Sequence, residues 1–376
     1  MKKKSKLKNA MPFFIGAAIG MTWAIVNRLT GFGALRSLSA STPTEQLLRA
    51  GTLILAVAAS FLLHVFLHEA GHLIAGLMSG YSFVSFRIFT TVFVKRGGKI
   101  RTGRFTIPGT LGQCLMSPPE PVDGHFPYLL SNLGGALMNF MAAGLVVIPA
   151  LLVESSFARI ALFTFVFCGF FLGLINFIPI KASGLANDGY NALTLGRRDA
   201  ARRAFWLALR INALLSEGQR LRDMPTEWFE MPDSADLNDV MISASATFKL
   251  SLLIDRLAFE EAKEYGEYIL NTADAMLEIY KNEVRCEILF LEIIGECRKD
   301  EVARLFTDEL RMYVKATMLL VARQRLNYAY VTLVSRDKAK AEKVRAQFEK
   351  ACATYPNAGE VEGERELMRI IDQKAE

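Results

Sequence analysis

The first half of the chain alternates long apolar runs with short polar stretches, many of them basic. From about residue 190 the pattern changes to the three-and-four spacing of amphipathic helices. Four apolar runs, at about 9–29, 51–77, 126–153 and 157–180, are long enough to cross a bilayer, since ~20 residues cover the hydrocarbon core. Each predicts a membrane helix. Small residues in the last two (Gly134, Gly135, Ala136, Gly169, Gly173) allow close helix packing. Five lysines within residues 1–8 precede the first run. A charged start and an apolar core also describe a signal peptide, but only the weak site Ser37-Leu38-Ser39-Ala40 follows. The run therefore reads as a retained helix with a cytoplasmic N-terminus.

Between the second and third runs, residues 82–94 are rich in Phe, Val, Ile and Thr with partial alternation. Lys95-Arg96-Gly97-Gly98-Lys99 has the glycines of a tight turn, and 100–107 serves as a return strand. This predicts a β-hairpin, with 113–121 irregular after it. Its basic residues Arg87, Lys95, Arg96, Lys99, Arg101 and Arg104 place it on the cytoplasmic side. Beyond 196 the chain predicts an all-α cytoplasmic domain. Within it, 326–334, Ser335-Arg336-Asp337 and 338–355 look like a helical hairpin of the tetratricopeptide type, although no clean repeat runs through the domain. The predicted architecture is a polytopic α-helical membrane protein with about four transmembrane helices, a cytoplasmic β-hairpin insertion and a helical-hairpin-repeat-like C-terminal domain. Its divisions are 1–50, 51–195 and 196–376.

Charge sharpens this division. Residues 1–189 hold 16 Lys+Arg against 6 Asp+Glu, and residues 190–376 hold 28 against 32. The net charge of +6 is thus concentrated beside the apolar runs, where orientation in a membrane accounts for it and nucleic-acid binding does not. A hydrophobic fraction of 52% and a mean hydropathy of +0.24 agree with a membrane unit joined to a soluble one. Five cysteines without C-x-x-C spacing fit a reducing cytosolic face, not a disulfide scaffold.

The candidate chemistry lies in the second run. Leu67-His68-Glu69-Ala70-Gly71-His72-Leu73 reads H-E-x-x-H, and Glu69 is the one Asp, Glu, Lys or Arg between Arg49 and Arg87. Ionisable groups in a membrane helix are costly, which makes them functional by default. On a helix, His68 and His72 share a face and can present their rings to one metal ion, and Glu69 lies where it can take a proton from water. A catalytic zinc site needs a third protein ligand and an open position. Asp188 follows the fourth run on the same predicted side, and Asp123 is the fallback. His64 lies one turn before His68. It is either a pocket residue behind the ligands or a histidine bonded to a neighbouring helix, because a rise of ~12 Å from His64 to His72 is too long for one ion. His125 reads as exposed. Asn139 and Asn176 either tie helices together or meet a substrate backbone or a developing oxyanion.

These residues resemble the site-2 proteases, intramembrane zinc metalloproteases that pair an HExxH helix with a later span bearing N-x-x-P and then D-G. Here those motifs are Asn176-Phe177-Ile178-Pro179 and Asp188-Gly189, and Gly135 to Asn139 loosely matches the family's G-x-x-x-N. The resemblance covers about 51–195. It implies Zn2+ held by His68, His72 and Asp188, Glu69 as general base, and substrate contacts at Asn176 and Asn139. It further implies cleavage within or beside a substrate's membrane segment, in regulated intramembrane proteolysis or precursor processing; the brief loops suggest a bacterial cell membrane, and four spans after a basic start place both termini in the cytoplasm. One departure stands out: Pro179 and Asp188 are nine residues apart, a longer spacing than is usual in the family. An edge strand of the hairpin is expected to hold the unwound substrate. The alternative is a non-catalytic membrane scaffold or receptor whose helical tail binds a cytosolic partner. A metal transporter fits less well, because one three-ligand site makes no relay across the membrane.

Overall fold

The computed structural model describes residues 42–106, 110–182, 185–231, 236–274 and 276–376. The predicted first helix, at about 9–29, lies outside the described residues. The chain is mostly helical, with three helices long and apolar enough to cross a membrane and a small antiparallel sheet. Contacts group it into two units.

One unit is built from α1 (Pro43–Met78), α2 (Tyr128–Leu152) and α3 (Ser156–Phe177), with residues 186–192. Thr42 caps α1, accepting a hydrogen bond from the Glu45 backbone N–H at 3.3 Å, and Pro43 takes the first helical position, where it has no hydrogen bond to lose. The helix ends at Met78, and Gly80 in the turn that follows has a φ of 80°, which suits glycine. Ser155 caps α3, and α3 stops before Pro179, as the proline requires. Backbones meet where small residues face each other. A Cβ on Gly71 would lie 2.3 Å from the Gly134 carbonyl oxygen, so α1 and α2 touch only because both positions are glycine. The interior holds Ala136, Ala143, Ala150 and Phe163, while Leu55, Leu145 and Leu152 are more than 70% exposed. Small residues inside and large apolar residues outside are the arrangement of helices whose solvent is lipid.

The other unit joins the sheet to the C-terminal helices. Its four strands are β1 (Ser82–Ile88), β2 (Thr91–Arg96), β3 (Lys99–Arg104) and β4 (Gly112–Ser117), in the order β3-β2-β1-β4 and all antiparallel. The Gly97-Gly98 turn is as predicted, both glycines having positive φ. The predicted single hairpin is corrected in two respects. Residues 82–94 form two strands, and the stretch expected to be irregular supplies β4. The reversal between β1 and β2 falls at Phe89-Thr90, with Phe89 at φ 53°, and no glycine, proline or asparagine marks it. Arg87 stabilises it from inside. That side chain is 1% exposed and donates to the carbonyl oxygens of Phe89 and Gly112 and to the Thr110 hydroxyl. The buried guanidinium thus ties the reversal at Phe89 to the start of β4.

Among the described residues five helices pack on α8 (Glu278–Ile294), whose Leu289, Phe290 and Ile293 are buried: α6 (Val240–Asp255), α7 (Phe259–Thr272), α9 (Lys299–Leu305), α10 (Asp308–Ala316) and α11 (Val321–Ala329); α5 (Asp199–Glu217), α12 (Lys338–Cys352) and α13 (Ala358–Ala375) complete the unit. α11 runs on as a π-helical turn, Tyr330–Val334, and pairs with α12 as the predicted helical hairpin. The sheet is clamped to these helices. Arg96 donates to the Tyr355 and Pro356 carbonyl oxygens at 2.7 Å each, Trp206 to the Pro119 carbonyl at 2.9 Å, and Arg210 to the Ser117 hydroxyl at 2.9 Å.

Candidate metal centre

The helical repeat of α1 sets the first geometry. His64, His68 and His72 fall on one face, and Glu69 is half-buried beside His68. Two of the three rings sit in slots left by glycine. A Cβ on Gly135 would lie 2.5–2.6 Å from atoms of the His68 ring, and one on Gly169 would lie 2.4 Å from Cε1 of His64. His72 is oriented by its Nδ1–H, which donates to the Ser131 carbonyl oxygen at 2.7 Å and leaves the Nε2 lone pair free.

Asp188 reaches the histidines through a local fold of the long connection. Residues Lys181–Ala182 (β5) and Leu185–Ala186 (β6) pair as a two-stranded sheet. Asn187 fastens the end of the connection. Its Nδ2 donates to the carbonyl oxygens of Ile175 and Ile178 at 2.6 and 2.7 Å, and its Oδ1 accepts from the backbone N–H groups of Ile180 and Tyr190 at 3.0 and 2.9 Å. It thereby ties the end of α3 to the first turn of α4 (Asp188–Thr194), which begins at Asp188 itself. Gly189 completes the join: a Cβ there would lie 2.1 Å from the Phe177 carbonyl oxygen.

As a result Nε2 of His68, Nε2 of His72 and Oδ2 of Asp188 form a triangle with sides of 3.1, 3.1 and 3.4 Å. Among the described residues this is the one group of three His, Cys, Asp or Glu side chains arranged to hold a metal ion. Its edges suit a small tetrahedral ion, because donors ~2.0–2.1 Å from such a centre lie ~3.3–3.4 Å apart. Two imidazole nitrogens and one carboxylate oxygen are also a donor set that zinc accepts with one position open.

The other predicted residues are placed as follows. Asn139 is 1% exposed and lies between two histidines, with Oδ1 3.2 Å from His64 Nδ1 and Nδ2 3.4 Å from His68 Nδ1. Asn176 donates to the Leu172 carbonyl oxygen of its own helix at 3.0 Å. Asp123 is exposed in the Val122–His125 turn at φ 49°, outside the triangle, and His125 is exposed as well. Sequence reasoning did not single out Asn187, Ser131 or the role of Gly135 and Gly169 as ring slots. Asn187 had a signal, since an asparagine just before a helix start is a capping residue. The glycine slots had none, because each depends on a partner on another helix. Comparisons of the chain with protein-family models, with curated proteins and with solved structures return no match.

Proposed function

We propose that this chain is an intramembrane zinc metalloprotease of the site-2 protease type, hydrolysing a peptide bond within or next to a substrate's transmembrane segment. The observation that carries the reading is the His68–His72–Asp188 triangle beside Glu69, in a helix apolar enough to span a membrane. Zinc bound there would polarise the scissile carbonyl and acidify a water molecule for attack. The chain's own residues supply the rest. His68, His72 and Asp188 would hold the ion. Glu69 takes a proton from the attacking water and delivers it to the leaving amide nitrogen, so the peptide C–N bond breaks to a carboxylate and an amine. The substrate class is a membrane-tethered protein or precursor peptide, and its helix must unwind locally, because helical carbonyls are engaged in their own hydrogen bonds.

A sheet edge is suited to hold the unwound piece. Val92 and Phe93 lie on β2, between β1 and β3, so a proline at either would break the sheet and would not report on capture. The open edges belong to β3 and β4, and β3 is almost wholly exposed.

The test is Glu69→Gln in the full-length protein in detergent or vesicles. Zinc content should match the wild type, while cleavage falls by ~10²–10⁴-fold. Membrane peptides that co-purify with the trapped variant then identify the substrate. Unchanged function in Glu69→Gln would sink the protease reading and favour a scaffold.

A further inference from the structure

His64 is the third histidine on the metal face, too far along α1 from His72 to share one ion with it. It is fully buried, at 0% exposure. Its Nε2 lies 3.0 Å from the Phe165 carbonyl oxygen, and its ring packs on Phe165 with centroids 4.2 Å apart. A carbonyl oxygen only accepts, so Nε2 carries the hydrogen. A neutral imidazole has one N–H, and Nδ1 of His64 is then an acceptor. The group opposite that acceptor is the Asn139 amide, and the other end of the same amide faces His68 Nδ1.

The amide has two orientations, related by a half turn about its Cβ–Cγ bond, and its partners decide between them. With Oδ1 towards His64, that ring needs hydrogens on both nitrogens. It would be an imidazolium buried among apolar helices, at a high desolvation cost. In that orientation Nδ2 donates to His68 Nδ1, so the hydrogen of a neutral His68 sits on Nε2 and blocks the atom that faces His72 and Asp188. The half turn removes both conflicts. Nδ2 then donates to His64, and Oδ1 accepts the Nδ1–H of His68.

We propose that His64 and Asn139 form a one-way hydrogen-bond relay that fixes the tautomer of His68. The order is Phe165 carbonyl, His64, Asn139, His68, and the lone pair left on His68 Nε2 is directed at the metal position. This rests on the metal reading above. It makes His64 and Asn139 positioning residues and gives the buried amide a task other than substrate contact. It also accounts for the glycines at 135 and 169, since each ring end of the relay occupies a slot that a Cβ would fill. His72 needs no such relay, because Ser131 already fixes its tautomer.

The test uses the full-length protein in detergent, loaded with zinc or with cobalt(II). The readouts are the zinc dissociation constant, the visible cobalt spectrum and thermal unfolding as a check on folding. In His64→Phe the zinc constant should rise ~10–100-fold with a changed cobalt spectrum, the usual consequence of losing an outer partner of a metal-bound histidine. His64→Gln should recover most of the affinity, because a glutamine oxygen accepts from Asn139 while its NH2 donates to Phe165. Asn139→Asp tests the same link independently: a carboxylate can only accept, so it keeps the acceptor for the Nδ1–H of His68, and zinc binding is retained. Unchanged affinity and spectrum in His64→Phe, or loss of zinc in a folded Asn139→Asp, overturns the relay. Should His64→Phe fail to fold, Asn139→Asp decides alone. A wild type that binds no zinc overturns the metal reading itself, a result distinct from these because it precedes any variant.

Discussion

Gly135 and Gly144 lie on the same helix and differ in one respect. A methyl group at 135 would strike the His68 ring at about 2.5 Å, whereas nothing lies within 4 Å of one at 144. Gly135→Ala is therefore expected to push the His68 ring from its slot and weaken zinc binding by at least ~10-fold, in the range seen when a ligand loses its orientation. Gly144→Ala should leave zinc binding unchanged and favour the helix by ~0.5–1 kcal/mol. Zinc titration of both variants, with thermal unfolding alongside, checks the pair. Equal affinities would show that the slot does not position the ring. The contrast also shows what residue identity conveys. The sequence displays two glycines in an apolar helix, and only the position of the neighbouring helix makes one of them part of the site.

At the scale of elements, the long connection between α3 and α4 is the feature that the motif spacing made doubtful. Within it β5 pairs with β6, and Asn187 and Gly189 dock the start of α4 on the end of α3. Asn187→Ala removes two donors and two accepted hydrogen bonds at once, leaving the Ile175 and Ile178 carbonyls without this partner. We expect Asp188 to lose its placement and zinc to bind ~10–100-fold more weakly, with α-helix content unchanged by circular dichroism. An unaltered zinc constant would mean that Asp188 is placed by something other than its neighbour. The sheet carries a similar lesson. Alternation predicted strands, but the reversal at Phe89 carries no turn residue and is bonded by the buried Arg87, whose acceptors lie up to 25 residues away in the chain.

At the scale of the molecule, the C-terminal helices enclose a buried charge network. Arg325, 1% exposed, bonds Glu287 and Glu364 at 2.6 Å each, and Arg323 bonds Glu283 at 2.6 Å. Arg325→Met leaves two carboxylates without that partner and should cost ~3–5 kcal/mol in unfolding stability. The same interior has a cavity of about 310 Å³ lined in part by Glu360 and Glu364. Burial, with the charge of Glu364 adding to it, pushes the Glu360 carboxyl up to about 7, and hydrogen bonds from Asn357 and Tyr355 offset this only in part. An ordinary glutamate titrates near 4.5. The folded chain thus holds this proton more tightly than the unfolded one, and stability from this group falls as pH rises from ~4.5 to ~7, by up to about 3 kcal/mol. Glu360→Gln should be more stable than the wild type at pH 8, with the difference closing near pH 4.5. Urea unfolding at the two pH values measures it, and a difference independent of pH would remove Glu360 as its cause.

What the sequence by itself determined is local. Apolar run lengths marked four segments able to cross a membrane, three of which are helices among the described residues, and the i, i+4 spacing put His68 and His72 on one face with Glu69 beside them. Glycine pairs marked the turn at 97–98, and the charge distribution separated an apolar, basic half from a charge-mixed helical half. Each of these follows from the helical or strand repeat, or from one residue's own conformational range. The tertiary structure alone decided which side chains meet. It brought Asp188 within 3.4 Å of both histidines, set the His64 and His68 rings in the glycine slots of α3 and α2, and placed Asn139 between them. It also packed the sheet on the C-terminal helices. The hydrogen bonds among those contacts join residues 71 to 259 positions apart, a distance that no local period records.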